Sequence, residues 1–394
     1  MLGALLAWEG GRGRGHVVTL KAVADAVRDR FEFDAALCRV EYKHELSEFC
    51  EPVQGPWLPF SDEYRKSKGN PRTATWGEFM GDIGFRRPEI LRESIGWWQQ
   101  VMRDCEISLV IADCAPCALL AARGLGIPSV AVGTGYLVQP AGMESFPVLL
   151  PRHATLIHDE AEIVETINSV IPDFGLPKLQ RLPEVYASTD QLVFTLDMLD
   201  PYAAWRSQPL LPPVTGGTVE PDPGGDEIFI YFSTSEKSDP GLMEAIGGLG
   251  VPVRLFMPDI DDALAEDFTR RGVLVERSPV PVELIAKRTR LMVNAAQHGT
   301  LCLGLAAGLP QVSVPQDLEK QYHADAAASR GVLISVDEKD RGADSFRSIL
   351  LDAYEDAGLA RRARDLAEEL KPQFSANQRK LIRRRLAAVM DNRL

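Results

Sequence analysis

A histidine and an aspartate each stand beside the end of a predicted strand, and together they could move a proton. His16 begins the helix that follows the strand LGALLAW and the glycine-rich turn EGGRGRG, and Asp113 ends the strand ISLVIAD. If the strands are parallel, both side chains face the same crevice. An imidazole accepts a proton near neutral pH, and a carboxylate orients its ring and stabilises the imidazolium. The pair predicts a general base; the alternatives are a capping or packing histidine and a helix-capping aspartate.

A second group of residues could hold an anion. The turn AAQHGT lies between the strand LMVN and the helix TLCLGLAAG, and it places His298, Gly299 and Thr300 at a helix N-terminus. Unpaired backbone N–H groups and the helix dipole favour a phosphate there. Ser233 and Thr234, at the end of the strand DEIFIYFSTS, add hydroxyls that could meet phosphate oxygens. The alternative is that Gly299 and Thr300 only turn the chain and cap the helix.

The loop after the next strand, QVSVP, carries polar side chains that suit hydroxyl groups. The segment PQDLEKQYHAD places Asp317, Glu319 and Gln321 close to the strand end. Carboxylates at such positions bind ribose hydroxyls in dinucleotide folds. A solvated charged loop would look the same locally. The pairing of this loop with the anion-binding turn, one βαβ unit apart, predicts a site for a nucleotide diphosphate.

Aromatic residues are concentrated between about residues 41 and 100, where clear periodicity is lost. They could form the wall of a pocket for an aromatic or apolar molecule. The alternative is the core of an irregular helical insert. The aromatic residues of this region include Trp57, Phe60, Tyr64, Trp76, Phe79, Phe85, Trp97 and Trp98.

The elements that would position these residues alternate between strand and helix in both halves of the chain. A segment rich in proline and glycine separates the halves and is typical of an interdomain linker. The pattern predicts an α/β protein with two doubly wound, Rossmann-like domains. The predicted parts are residues 1–205, a linker at 206–226, a second domain at 227–372 and a C-terminal helix at 373–394, with Pro372 as a helix break.

Composition narrows the class of partner. The chain of 394 residues is 45% hydrophobic and 25% charged, as expected of a globular protein, and its net charge of -13 argues against nucleic acid as a partner. No stretch approaches the length of about 20 apolar residues that spans a membrane, and no signal peptide is recognised, so the protein is predicted to be cytoplasmic. Cys114 and Cys117 form a lone C-x-x-C, which supports neither a zinc site nor a disulfide framework.

Four segments, taken in order along the whole chain, resemble the two-domain GT-B glycosyltransferases, in particular family 1 with the UDP-glycosyltransferases and antibiotic glycosyltransferases. GGRGRGH resembles the G-x-G-H turn on the acceptor side of that family. VERSPVPVELI resembles the segment against the nucleobase. NAAQHGTLCLGLAAGLPQVSVP and PQDLEKQYHAD resemble the donor-phosphate loop and the donor-sugar loop.

The resemblance implies a fold and a reaction. Two Rossmann-like domains would enclose a cleft, with a C-terminal helix crossing back to the first domain. The protein would be a hexosyltransferase that moves a sugar, with inversion and without a metal ion, from a UDP- or dTDP-sugar to a hydroxyl of a small, partly apolar acceptor. No cofactor besides the nucleotide sugar is implied, and a homodimer is compatible with the prediction.

The resemblance also implies residue roles. His16 would be the general base and Asp113 its orienting partner. The donor site would contain Ser233, Thr234, Arg277, Val280, His298, Gly299, Thr300, Asp317, Glu319 and Gln321. On the acceptor side, the turn would contribute Gly13 and Gly15, and the aromatic region described above is predicted to contribute Trp57, Trp76, Phe79 and Trp97.

Two positions depart from the family. Ala295 stands where the family has its phosphate-binding histidine, and Gln297 replaces a glycine. Either His298 takes over the missing contact or the loop has a different shape, and Asp317 and Glu319 are rival contacts to the donor sugar. Ala295 and Gln297 leave open a non-catalytic partner protein on the same fold, and the shared two-domain architecture leaves open a nucleotide-sugar 2-epimerase.

Overall fold

The chain forms two compact units. A computed structural model describes residues 2–215, 219–222, 224–233 and 235–391. The first unit comprises Met1–Pro212 with Ala376–Leu394, and the second comprises Pro213–Ser375. The division falls within the predicted linker 206–226 and places residues 213–226 in the second unit. Within the described residues, no helix is both long and apolar enough to cross a membrane.

The first unit is built on a parallel sheet whose inner strands are buried on both faces, which explains their nearly continuous apolar sequences. The strands are β1 (Leu2–Trp8), β2 (Phe31–Leu37), β3 (Val53–Gln54), β4 (Ile107–Asp113), β5 (Ser129–Gly133) and β6 (Asp190–Val193). The described strands pair in the order β3-β2-β1-β4-β5-β6. The chain adds β2 and β3 on one side of β1 and then crosses to β4 on the other side, so the switch point of the sheet lies between β1 and β4.

Helices connect and cover these strands. The helix α4 is amphipathic and buries Leu91, Ile95, Trp98 and Met102, at the spacing of one helix face. The helices of this part of the chain are α1 (Gly15–Val27), α2 (Glu63–Ser67), α3 (Trp76–Asp82), α4 (Pro88–Asp104), α5 (Pro116–Gly124) and α6 (Glu160–Asn168).

The second unit repeats the same plan. Its described strands pair in parallel in the order β12-β11-β10-β7-β8-β9. Read from β9 to β12, this is the same order as in the first sheet. The equivalent switch point therefore lies between β7 and β10. The strands are β7 (Glu227–Tyr231), β8 (Val253–Phe256), β9 (Val273–Glu276), β10 (Thr289–Asn294), β11 (Gln311–Ser313) and β12 (Leu333–Ser335). The helices are α7 (Pro240–Ile246), α8 (Asp262–Arg270), α9 (Val282–Arg288), α10 (His298–Ala306), α11 (Leu318–Ser329), α12 (Ala343–Glu355) and α13 (Ala357–Ser375).

Pro372 does not break the last long helix, contrary to the prediction. The helix α13 runs through it and ends at Ser375. Proline removes one backbone N–H and crowds the carbonyl one turn earlier. The helix continues for only three residues after Pro372, so a bend at the proline displaces less than one turn of helix.

The final helix, α14 (Gln378–Asp391), belongs to the first unit, as the predicted fold requires. It buries Ile382, Leu386 and Val389 on one face. Two arginines on the helix add ion pairs, Arg383 with Asp29 and Arg385 with Asp190. Asp190 begins β6, so the end of the chain packs against the edge of the first sheet.

Candidate active site

His16 and Asp113 meet at the switch point of the first sheet. Asp113 is the last residue of β4 and lies opposite Trp8, the last residue of β1, while His16 lies in the first turn of α1. The imidazole Nδ1 and the carboxylate Oδ1 are 2.7 Å apart. His16 is 7% exposed and Asp113 is fully buried. The predicted pair therefore exists as a direct hydrogen bond in a nearly dry environment.

The capping roles proposed as alternatives for the two residues disagree with this geometry. The N-cap of α1 is Arg14, so His16 does not cap the helix. The N-cap of α5 is Ala115, and no side chain caps that helix. Burial raises the pKa of Asp113, and the neighbouring His16 opposes that rise. The aspartate is therefore held beside the imidazole by charge and hydrogen bonding, as an orienting partner would be.

The ring of His16 is fixed on two further sides. Trp8 stacks on it with ring centroids 4.9 Å apart. A Cβ atom on Gly11 would lie 2.6 Å from Nε2, and Gly11 has a φ of +88°, so both space and backbone require glycine there. Of the predicted acceptor-side glycines, Gly13 has a φ of +100° and Gly15 begins α1, and a Cβ atom on either would meet nothing within 4 Å. Gly11 is thus the glycine that leaves space beside Nε2, the ring nitrogen of His16 that does not contact Asp113.

Glu9 is a buried acid beside this site that the sequence did not single out. It is fully buried directly after β1, where its Oε1 accepts from the Trp98 indole N–H at 3.0 Å. Its Oε2 accepts from the backbone N–H of Cys117 at 2.8 Å, at the N-terminus of α5. Burial raises the pKa of Glu9 from 4.5 to about 7, although these two hydrogen bonds lower it. Glu9 therefore joins β1, α4 and α5 around the turn that carries Gly11.

The raised pKa of Glu9 predicts a pH dependence of stability. A carboxyl group with a raised pKa in the folded state stabilises the fold fully below pH 4.5, and this contribution is lost as the pH rises through about 7. The loss is about 3 kcal/mol at about 1.36 kcal/mol per pH unit. Urea unfolding should therefore show wild type losing stability relative to Glu9→Gln between pH 5 and 8, with Glu93→Gln on the exposed side of α4 as control. Parallel curves for wild type and Glu9→Gln would reject the raised pKa.

A buried ionic network orders the insert that carries the aromatic residues. The Arg65 guanidinium in α2 donates to Asp82 Oδ2 at 2.9 Å through Nε and to Glu78 Oε2 at 3.1 Å through Nη2. Asp82 Oδ1 lies 2.9 Å from His158 Nε2, and Glu78 Oε1 accepts the backbone N–H of His158 at 2.7 Å. All four residues are buried. The network joins α2, α3 and the segment before α6 where apolar periodicity is lacking.

The predicted acceptor aromatics have different environments. Trp76 is 2% exposed and donates its indole N–H to the Tyr186 hydroxyl at 2.6 Å. It therefore belongs to the core of the insert and does not line an open pocket wall. Its ring contacts Phe79, which stacks on Phe60. Trp97 is half-buried on α4 and lies edge-on to Trp98. The structure thus links Trp76 with Phe79, and places Trp97 on a separate helix.

The segment with Trp57 and Phe60 presents an apolar surface near the end of β1. Trp57 is 52% exposed and Phe60 is 49% exposed. The backbone N–H of Leu58 between them donates to the Glu9 carbonyl at 3.3 Å. The Arg39 guanidinium lies 5.8 Å from the centre of the Trp57 ring. These two rings are the exposed aromatic surface that the fold brings to the edge of the sheet where His16 lies.

The switch point of the second sheet carries the predicted anion-binding turn. Asn294 ends β10, and its Oδ1 accepts from the backbone N–H of Ala296 at 2.7 Å and from the Ser313 hydroxyl at 2.8 Å. Ala296 has a φ of +60°, so the turn needs this support. Asn294 also donates to Gln311 at 2.8 Å. The turn is therefore held by a buried amide network from β10 and β11.

The predicted phosphate contacts lie around this turn. Gly299 is exposed and Thr300 half-buried in the first turn of α10. Ser233 follows β7, and its Oγ accepts from the Gln297 side-chain amide at 3.2 Å. Thr234 lies outside the described residues. Ser233 and the start of α10 are thus brought together at the ends of adjacent strands.

His298 lies with its ring inside the second unit. The residue is 7% exposed, and the ring contacts the His323 ring with centroids 5.3 Å apart and lies 3.7 Å from Cys302 Sγ. Burial, with His323 adding to it, holds the pKa of His298 well below its usual value. The imidazole is therefore neutral at physiological pH, so it would offer a phosphate a hydrogen bond at most.

The loop predicted to bind the donor sugar makes local contacts. Asp317 caps α11 by accepting from the backbone N–H of Lys320 at 3.0 Å, and it forms an ion pair with the Lys320 ammonium at 2.9 Å. Gln321 is 8% exposed and donates to Asp325 at 3.0 Å and Ser335 at 3.2 Å. Glu319 is half-buried in the first turn of α11. Of the two rival acids, Asp317 thus has a structural role as a helix cap.

The residues predicted near the base lie just after β9. Arg277 is half-exposed and pairs with Asp262 at 3.0 Å. Val280 packs on the apolar cluster that includes Ile285 and Met292. Among the described residues, no group of at least three His, Cys, Asp or Glu side chains could hold a metal ion.

Known proteins share this architecture. No protein-family model matches the chain. It is 24% identical over 372 residues to the dTDP-epi-vancosaminyltransferase of Amycolatopsis orientalis, covering 86% of each chain. The spinosyn rhamnosyltransferase SpnG complexed with thymidine diphosphate superposes with a TM-score of 0.68 at 16% identity, covering 97% of this chain and 99% of that one. The glycosyltransferase VinC in complex with dTDP superposes with a TM-score of 0.63 at 16% identity, covering 97% and 100%. The predicted resemblance is confirmed: this chain has the GT-B fold of the antibiotic glycosyltransferases.

Proposed function

We propose that this GT-B protein is an inverting, metal-independent glycosyltransferase that moves a sugar from a dTDP- or UDP-sugar to a hydroxyl of a small, partly apolar acceptor. The observation that carries the proposal is the buried 2.7 Å contact between His16 and Asp113 at the switch point of the first sheet. An imidazole oriented by a carboxylate at a strand-end crevice supports the removal of a proton from a substrate hydroxyl. The curated relative is named for a dTDP-sugar, which favours dTDP over UDP as the donor nucleotide.

The proposed reaction is a single displacement. The Nδ1–H of His16 donates to Asp113, which leaves Nε2 free to take the proton of the acceptor hydroxyl. The acceptor oxygen attacks the anomeric carbon while the bond from that carbon to the diphosphate oxygen breaks, so the configuration inverts. The negative charge on the leaving diphosphate is stabilised by backbone N–H groups at Gly299 and Thr300 and by the Ser233 hydroxyl.

The exposed aromatic surface supports the part of the proposal that concerns a partly apolar acceptor. Trp57 and Phe60 are large, exposed and held beside the end of β1. Exposed aromatic rings at the edge of a site favour a ligand with an apolar face. Arg39, which lies over Trp57, adds a cation to the same surface.

Nucleotide binding tests the donor half directly. Calorimetry with dTDP, UDP and GDP is expected to give a Kd on the order of 10–100 μM for dTDP or UDP, comparable with the range of about 1 μM to 1 mM that is usual for the KM values of enzymes. At 100 times Kd, dTDP should stabilise the unit that binds it by about 2.7 kcal/mol, measured as a rise in Tm. EDTA should change neither result.

The competing function is a non-catalytic protein of the same fold, which Ala295 and Gln297 favour. It predicts no affinity for any of the three nucleotides.

Turnover tests the acceptor half of the proposal. With a dTDP-sugar and a panel of aromatic alcohols, NMR should show a glycoside of inverted anomeric configuration. A product with retained configuration would contradict the single displacement.

A further inference from the structure

The side chain of Gln297 lies in the turn between β10 and α10, where the proposed function places the donor diphosphate. Gln297 is the N-cap residue of α10 and is half-buried. Its Oε1 accepts from the backbone N–H of Ala295 at 3.1 Å. Its Nε2 donates to Ser233 Oγ at 3.2 Å and to Glu236 Oε1 at 3.0 Å. One side chain thus connects the loops that follow β7 and β10.

The amide oxygen of Gln297 does what a phosphate oxygen would do there. A backbone N–H at a strand-to-helix turn is a hydrogen-bond donor for an anion. The Ala295 N–H points into the turn, because Ala296 is held at a φ of +60° and Asn294 takes the Ala296 N–H. Gln297 satisfies the Ala295 donor from within the chain. The same amide also occupies the Ser233 hydroxyl, a predicted phosphate contact.

Glu236 is a further hydrogen-bond partner of the Gln297 side-chain amide. Its carboxylate is fully buried beside the turn and accepts from Gln297 Nε2. Three hydrogen bonds therefore hold Gln297 in the turn, and all three must break before the side chain can swing out. A glycine at this position, as in the family, would have no such side chain.

We propose that Gln297 is a built-in occupant of the diphosphate turn, which must swing out before the donor binds and which therefore sets the donor affinity. This inference rests on the proposed function. It assigns Gln297 a role in specificity for the diphosphate and none for the base. The side chain is a positioning residue for the donor site, and it takes no part in the chemical step.

The test compares Gln297→Gly and Gln297→Ala with wild type by calorimetry. Both variants free the Ala295 N–H, and the loss of a competing contact worth about one net hydrogen bond should tighten dTDP binding about tenfold. UDP should gain by the same factor, because the side chain faces the phosphates. Gln100→Ala, an exposed glutamine on α4, should bind dTDP as wild type does. Circular dichroism checks that each variant is folded.

The outcomes separate this inference from the proposed function. Tighter binding by both variants supports it, and so does binding by Gln297→Gly when wild type shows none. Equal or weaker binding by both variants, with wild type binding normally, would overturn the inference and leave the proposed function intact. If wild type and both folded variants bind no nucleotide, the inference and the proposed function are both wrong. If Gln297→Glu binds dTDP as tightly as Gln297→Gly, the inference is also wrong, because a carboxylate keeps the contact with Ala295 and adds repulsion.

Discussion

Replacing His16 by alanine is expected to lower kcat about 10³-fold, in the middle of the range of about 10² to 10⁴ that general base catalysis contributes. The dTDP affinity should stay as in wild type, because the nucleotide contacts are predicted on the second unit. The fold should survive, since burial raises the pKa of Asp113 and lets this carboxyl take a proton once the imidazole is gone. Steady-state kinetics and calorimetry on the same preparation measure both quantities.

The matched control is His44→Ala, which removes a histidine whose side chain is 71% exposed. It should leave kcat unchanged. If His16→Ala keeps wild-type turnover, His16 is not the base. A loss of dTDP affinity as large as the loss of kcat would assign His16 a structural role in place of a chemical one.

Replacing Arg65 by methionine should have the largest effect on stability. The substitution leaves Glu78 and Asp82 buried without their cation, and the side chains of these two acids are 1% and 0% exposed. Breaking a buried ion pair from one side costs about 3–5 kcal/mol. All six tryptophans lie in the first unit, so urea unfolding followed by tryptophan fluorescence measures that unit alone.

The control for Arg65 is Arg92→Met. Arg92 pairs with Asp173, but their side chains are 51% and 59% exposed, and exposed pairs add little to stability. The free energy of unfolding should change little. If the two variants lose equal stability, the buried network is not what holds α2 and α3 together.

Local sequence patterns predict some of the site residues and miss others. The contact between His16 and Asp113 is predictable because each residue stands beside the end of a clear apolar strand, and parallel strands bring such ends to one edge. Glu9 also stands at a strand end, so its position was a usable signal. Its burial depends on Trp98 and Cys117, which are 89 and 108 residues away, and no local pattern reports such contacts.

The aromatic insert shows the same limit. Its composition indicated a cluster but not which rings face solvent. Trp76 is buried because Tyr186, 110 residues later, accepts its indole N–H, while Trp57 is exposed. The buried network around Arg65 likewise needs His158, which no pattern within the insert identifies.

The two parallel sheets, the linker region and the pair at the first switch point can be predicted from local patterns, because apolar periodicity and glycine-rich turns are local consequences of backbone geometry. Which side chains occupy the ends of those strands depends on the tertiary structure. The ring of His298 lies against His323, the Gln297 side chain lies in the turn proposed to bind the diphosphate, and Glu9 is fully buried. Each of these outcomes depends on packing between residues distant in the chain, where the cost of burying a polar group is set by its partners.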